Sequence, residues 1–346
     1  MLADISTVYV GGGTPTVLGG KLLDVVDAVS RWCLPCEFTC EANPESFTEE
    51  MARSLSDRGV TRISLGVQSF NDRELSGIGR IHSASVAAEA IARAKRFGFD
   101  VSADLMCGIP YQSASSWSES LDRLVGLGVD HVSVYPLAIE EGTPLERMAS
   151  NDPELEPDED FQADCMLAAR EVLESRGYRR YEVASYAREG KRCRHNIAYW
   201  CGISYLGIGR SASGMLNGSQ ARRLSVFFPG IEVPSADSRV RMTQLDDAGA
   251  RFDYEVLGPR EAAAEDLMLA CRMADGISSE LLDSARRSIP ASELEAACAR
   301  ATELGLVRKV PSVHPAYRLE PTDRGWLDGN VLFELFWNLA DVSATM

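Results

Sequence analysis

Residues Thr7–Leu18 read TVYVGGGTPTVL. A β-branched and aromatic run, Thr7 to Val10, ends abruptly at Gly11, Gly12 and Gly13. This predicts a strand entering a loop where glycine permits positive φ and lets a ligand approach the backbone. Thr14 is a reasonable N-cap, and an apolar helical stretch follows Pro15 and Thr16. A helix beginning there directs bare N–H groups back toward the loop. The result is a cradle for a carboxylate, a phosphate or an amino-acid moiety. Three glycines alone describe a plain tight turn equally well, so the weight falls on what recurs downstream.

Up to about residue 185 the pattern alternates strand and helix. Strands are expected at Thr7–Val10, Glu37–Glu41, Arg62–Val67, Val101–Met106, His131–Tyr135 and Arg180–Val183. Helices are expected at Lys21–Trp32, Glu49–Asp57, Ala84–Phe97, Trp117–Leu127 and Phe161–Ser175, with Ser116 and Glu119 reading as a capping box. Strands separated by helices argue for βα units and a parallel sheet. Polar residues gather where these strands end. The first runs into Gly12, Gly13 and Thr14, the second into Glu41 and Asn43, and the third into Gln68. The fourth carries Asp104, and the fifth leads to Ala138 and Glu140. The carboxyl edge of a parallel sheet is where barrels and open α/β folds build their sites.

The whole chain sets limits on function. Its 346 residues suffice for one large domain and a smaller one, and 45 % hydrophobic with 25 % charged residues is ordinary for a globular protein. No apolar run is long enough to span a membrane, and the N-terminus lacks the basic start of a signal peptide, so a cytoplasmic protein is expected. Nine cysteines, an odd number, read as reduced thiols. A net charge of −16 argues against a nucleic-acid partner.

Tyr178–Arg194 reverses that sign locally, with Arg179, Arg180, Arg188, Lys191, Arg192 and Arg194. It reads either as a solvated basic face or as a clamp for carboxylates. A second glycine-broken stretch, Tyr205–Gly214, again resembles a strand with a ligand-approach loop. Pro234–Gly258 reads as a polar connector. Helices are then expected at Glu261–Ala274, Ser278–Ser288 and Ala291–Leu304, a strand pair at Leu306–Val310 and Ala316–Leu319, and a last helix at Val331–Leu339. This resembles a winged-helix-like module, but no helix in it is basic, which favours packing or partner binding over DNA. The domain organisation expected is 1–177, 178–258 and 259–346.

The ordered motifs are YVGGGTPT, CEANPES, SLGVQSFND with IGRIH, ADLMCGIPYQ, HVSVYPLAIEEGTPL, RYEVASYAREGKRCRHNIAYW and YLGIGRSASG. Together they resemble the oxygen-independent coproporphyrinogen III oxidase group of radical SAM proteins, and within it the heme chaperone (HemW) branch. The resemblance runs from about residue 6 to residue 335. It implies an α/β fold: a partial (β/α)6 TIM-like radical SAM barrel lacking its first βα unit, plus a C-terminal mostly helical domain. It also implies S-adenosyl-L-methionine as cofactor. Gly12, Gly13 and Thr14 match the segment that holds its amino-acid end, and Glu41 matches an acid that contacts it. Gln68, Arg80, Asp104 and Ala138 match further positions around the cofactor or a second molecule of it.

The resemblance also implies a [4Fe–4S] cluster held by a CxxxCxxC loop. No such loop is present, and the expectation is that the reading frame starts at an internal methionine, with a degenerate relative as the other explanation. Cys33, Cys36 and Cys40 form C-x2-C-x3-C, the reverse spacing, with Cys40 inside a strand, and read as structural thiols. A barrel short of its first strand is expected to expose a sheet edge and to be poorly stable. The function implied is heme binding and transfer to an acceptor protein. The basic run would then lie near the propionates, and His195, Cys193 or Tyr199 are candidate iron ligands. The alternative implied is oxidative decarboxylation of coproporphyrinogen III. A third reading is a metal-free barrel enzyme using Glu41 and Asp104 as acid and base, with a phosphate on the glycine loop.

Overall fold

Polar and apolar residues alternate strictly through β1 (Thr7–Val10), β2 (Glu37–Ala42), β3 (Arg62–Gln68), β4 (Asp100–Cys107) and β5 (His131–Pro136). Successive side chains of a strand point to opposite faces. One face therefore carries Val8, Phe38, Cys40, Ile63, Leu65, Val101, Ala103, Val132 and Val134, all within the main hydrophobic cluster. The other carries Tyr9, Glu41, Ser64, Asp104, Ser133 and their neighbours. Helices cover the apolar face alone, through Leu22 and Val26, Met51 and Leu55, Ala87, Ile91 and Ala94, Trp117 and Leu121, and Cys165, Ala169 and Leu173. A parallel sheet buried on both faces would read as unbroken apolar runs, so the alternation itself marks a polar interior.

The computed structural model describes residues 5–152, 155–224, 235–246, 251–311 and 317–341. The chain divides into two units, Met1–His195 and Asn196–Met346. In the first, β1 to β5 run parallel in sequential order. Their crossovers hold α1 (Gly20–Trp32), α2 (Glu49–Ser56), α3 (Asp72–Gly77), α4 (Ala84–Arg96) and α5 (Ala114–Gly126). α6 (Pro144–Ala149) and α7 (Glu159–Ser175) follow β5. The first five strands match the sequence expectation closely, but the sixth does not. Arg180–Val183 is not a parallel strand. A two-residue β6 (Arg179–Arg180) and β7 (Ser185–Ala187) form a tight antiparallel ribbon, and β7 pairs antiparallel with β5. The turn between them leaves no room for a crossover helix, which parallel pairing requires.

α5 also starts a turn earlier than expected. Ser113 caps it by accepting from Ser116 N, and Ser116 Oγ accepts from Ser113 N, so the box is Ser113 with Ser116. Glu119 instead accepts from Ser115 Oγ at 3.2 Å.

α8 (Arg194–Trp200) closes the first unit's sequence and opens the second's. The second unit holds β8 (Ser213–Asn217), α9 (Gly218–Leu224), β9 (Arg239–Gln244) and β10 (Phe252–Leu257), the strands forming an antiparallel sheet. The expected connector Pro234–Gly258 is thus mostly sheet where it is described, and residues 225–234 and 247–250 lie outside the described residues. Within Tyr205–Gly214, Tyr205 makes an isolated bridge to Met215, Ser213 and Gly214 open β8, and Gly207 packs directly on Ser213. Beyond come α10 (Pro259–Ala270), α11 (Ser279–Ala285), α12 (Ala291–Glu303), the hairpin β11 (Val307–Pro311) and β12 (Tyr317–Pro321), then α13 (Asp323–Leu327) and α14 (Gly329–Trp337). Three helices and a hairpin agree with the winged-helix-like order expected for this region. No described helix is long and apolar enough to cross a membrane.

Candidate functional site

The carboxyl ends of β1 to β4 bring most of the predicted residues into one neighbourhood, half of them joined by hydrogen bonds. Gly12 and Gly13 take φ of 92° and 59°, and no atom lies within 4 Å of where either Cβ would stand. The loop is open above and glycine-dependent in shape. Gly12 N donates to Glu41 Oε2 at 3.1 Å, while the Tyr9 hydroxyl donates to Glu41 Oε1 at 2.6 Å. Asn43 Nδ2 donates to Thr14 Oγ1 at 2.9 Å, and Arg80 Nη1 donates to Asn43 Oδ1 at 3.2 Å. Glycine loop, β2 end and Arg80 are thereby tied together.

Gln68 sits at a bulge in the β3–β4 pairing, with a left-handed φ of 66°. A Cβ on Gly66 would stand 3.0 Å from Gln68 Nε2, 3.2 Å from Asn43 Oδ1 and 3.8 Å from Arg80 Nη1. The bare backbone at Gly66 is what lets these three polar ends converge. Gln68 is nearly inaccessible as a residue, yet its carboxamide atoms are not fully buried, and they make no hydrogen bond among the described residues. Asp104 stands in register with Gly66 on one side and Ser133 on the other. Burial pushes its carboxyl up to about 7; a hydrogen bond from Ser133 and the Arg80 charge oppose this, and the Glu41 charge adds to it. Burial, with the Asp104 charge, likewise raises the Tyr135 phenol. Ala138 is the exception. It is exposed beyond β5, on a segment tied to β4 by Leu137 N donating to Cys107 O at 2.8 Å, and no described contact joins it to the Glu41–Arg80 group.

Tyr9, Gly66 and Ser133 were not singled out from the sequence. The signal was available in the two-residue alternation, which assigns all of them to the face that carries Glu41 and Asp104.

The basic run lies at the other end of the strands. Glu37 and Arg62 open β2 and β3, are both buried, and approach to 3.4 Å. Arg62 Nη2 donates to Lys191 O at 3.0 Å, and Lys191 pairs with Asp100, the first residue of β4. The backbone N–H groups of Arg194 and His195 donate to Glu37 at 3.0 and 2.9 Å, and Cys193 Sγ does so at 3.4 Å. Arg188 lies over Tyr178 and Arg180 over Tyr186. His195 Nδ1 shares a hydrogen bond with Thr7 Oγ1 at 3.1 Å, and burial lowers its proton affinity against the opposing Glu37 charge. A run that read either as a solvated basic face or as a clamp for carboxylates is in large part occupied in holding the amino ends of the sheet together. Cys193 and His195 are committed there too.

Among the described residues no three His, Cys, Asp or Glu side chains are arranged to hold a metal. Cys36 Sγ donates to Ser6 O at 3.0 Å, and Cys33 Sγ lies against Val29 O. Cys40 is buried, and that burial, with the Glu41 charge, pushes its thiol up to about 12. These thiols do not fit a [4Fe–4S] cluster, and no chemistry routed through one follows from them.

A second feature belongs to the second unit. A cavity of about 560 Å³ is walled by Tyr199, Trp200 and Tyr205, with Met215, Met242 and Met268 and the cations Arg241 and Arg272. The Tyr199 ring lies 5.0 Å from Trp200 and 5.2 Å from Tyr205. Of the three iron-ligand candidates, Tyr199 alone is placed on this cavity.

Comparison with known proteins follows the same lines. Residues 2–136 match the Radical SAM superfamily. The chain is 30 % identical over 338 residues to the heme chaperone HemW of Lactococcus lactis, covering 96 % of this chain and 84 % of that protein. It is 35 % identical over 289 residues to HemW of Mycobacterium tuberculosis, covering 82 % and 71 %. Among solved structures, the coproporphyrinogen III oxidase HemN of Escherichia coli, a radical SAM enzyme, superposes with a TM-score of 0.70 over 97 % of this chain and 78 % of that one, at 18 % identity. That last likeness is one of fold.

Proposed function

The chain belongs to the HemW family of radical SAM proteins, and from that premise we propose that it binds heme and passes it to an acceptor protein, with S-adenosyl-L-methionine held at the β1–β4 rim. Family membership implies S-adenosylmethionine and a [4Fe–4S] cluster; the rim residues suit the first. The open Gly12–Gly13 loop, the Glu41 carboxylate, the unpartnered Gln68 carboxamide, Arg80 and Asp104 together suit a zwitterionic, ribose-bearing ligand. When bound, S-adenosylmethionine supplies a sulfonium centre. The chain's part is to grip the two ends of the molecule and to hold or release a proton at Asp104 near neutral pH.

The observation that carries the heme reading is the cavity of the second unit, in a chain so similar to heme chaperones. Aromatic walls and three methionines suit a flat, apolar macrocycle, while Arg241 on the same wall is paired with Glu255 and Glu265. Tyr199 is the candidate iron ligand or ring contact. Titration of the purified chain with heme is expected to shift the Soret band at micromolar protein, and Tyr199→Phe to weaken binding by roughly tenfold, the worth of one lost polar contact. A flat titration removes the chaperone reading. Oxidation of coproporphyrinogen III rests on fold likeness alone, and product formed from it by the same preparation with S-adenosylmethionine would replace the proposal.

A further inference from the structure

Tyr9 is held from three sides. Its ring stacks on His195 at 5.0 Å between centroids and 26° between planes, and His195 is itself fixed to Thr7. Its edge passes Gly11 so closely that a Cβ there would stand 2.7 Å from Tyr9 Cε1 and 3.0 Å from the Glu41 carboxyl carbon. Its hydroxyl donates to Glu41 Oε1 at 2.6 Å, leaving Oε2 to accept from Gly12 N. Gly11 shows no left-handed φ, so the requirement for glycine there is one of space. Nothing in the sequence singled Tyr9 out, since an aromatic residue in a strand ordinarily serves packing.

We infer that Tyr9 is a positioning residue of the rim: through its hydroxyl it fixes the Glu41 carboxylate, and through Glu41 it sets the glycine loop to receive the amino-acid end of a nucleoside sulfonium. A freely rotating glutamate would sample several rotamers, few of which accept from Gly12 N. A hydrogen bond to an ionised carboxylate is short and strong, and selects one. The stack on His195 then sets the height of the hydroxyl, so the geometry of the loop is inherited from the rigid strand rather than from the loop itself. The ligand assignment rests on the rim reading above; the positioning of Gly12 does not.

The test uses Tyr9→Phe in the full chain, which keeps the ring and its stack and removes only the hydroxyl. Affinities for S-adenosylmethionine and for adenosine, which lacks the amino-acid end, are measured by calorimetry, and exchange of the Gly12 amide by NMR. S-Adenosylmethionine is expected to bind roughly tenfold more weakly, adenosine within about twofold of the parent, and Gly12 exchange to rise about tenfold. Glu119→Ala, exposed on α5, is expected to change none of these by more than about twofold. Unchanged Gly12 exchange and unchanged affinity in Tyr9→Phe overturn the inference. So does an equal loss for both ligands with a lowered Tm, the mark of a merely structural role. If the parent chain binds neither ligand, the rim reading fails by itself, and Gly12 exchange still decides whether Tyr9 sets the loop.

Discussion

Asp104 stands among Glu41, Arg80 and Ser133 with its carboxyl raised from the ordinary carboxylate range to about 7. The native state therefore holds this proton more tightly than the unfolded chain. Between about pH 4 and pH 7 the unfolded state binds fewer protons, so stability falls as pH rises through that window and levels off above it. Asp104→Asn lacks the term. Urea unfolding is expected to show the variant more stable than the parent by about 1–2 kcal/mol at pH 8, after discounting for partial exposure, with the two converging below about pH 4. Two glycines at the same rim separate stability from function. A Cβ on Gly11 meets the edge of a ring stacked on His195 and anchored through its hydroxyl, so Gly11→Ala is expected to cost about 1–3 kcal/mol by overpacking. A Cβ on Gly66 meets the far ends of the Gln68 and Asn43 side chains, with Arg80 just beyond. Gly66→Ala should unfold within about 0.5 kcal/mol of the parent in the same assay, yet bind S-adenosylmethionine more weakly by calorimetry. At this scale Gly12, Thr14, Glu41 and Gln68 were legible because each ends a strand or opens a loop, Asp104 because the fourth strand carries an acid, and Arg80 through the family resemblance alone. Tyr9 and Gly66 were not, because a tyrosine or a glycine inside a strand declares its role only when its cross-strand neighbour is known.

At the scale of elements, the first five strands were legible because β-branched runs between helical patterns leave few other readings. The sixth strand failed because Arg180–Val183 has strand composition but only four residues before the chain returns at Ser185, and composition carries no direction. β9 was hidden by its arginines. Arg239 pairs with Glu265 and Asp266, and Arg241 with Glu265 and Glu255, so charges that read as solvent-facing are neutralised from neighbouring elements. The start of α5 was ambiguous because Ser113 and Ser116 both precede a helical pattern at capping distance. The structure makes Ser113 the cap. Ser113→Ala is expected to cost about 1 kcal/mol in thermal unfolding, and Glu119→Ala, whose acid touches only the exposed Ser115, less than about 0.5 kcal/mol. The reverse order would restore the later start.

For the whole molecule, a chain of net charge −16 places its densest basic run against acids at the amino ends of its own sheet. Glu37 and Arg62 are nearly inaccessible, and Glu37 gathers the N–H groups of Arg194 and His195 besides the Arg62 charge. Glu37 is well satisfied, whereas Arg62 bonds through Nη2 alone and keeps Nε and Nη1 buried without a partner among the described residues; such a pair is a weak source of net stability, but removing one charge leaves the other desolvated. Arg62→Met is therefore expected to cost about 3–5 kcal/mol in urea unfolding, and the double change with Glu37→Leu to recover a large part of it. The same network predicts what these cations do not do. Arg180 and Arg188 are spent on Val183 O, Val129 O and the rings of Tyr186 and Tyr178. Arg188→Gln should lower Tm by a few degrees while heme affinity, read from the Soret titration, stays within about twofold of the parent. A clamp on propionates would give the opposite pair of results, with affinity falling and Tm unmoved.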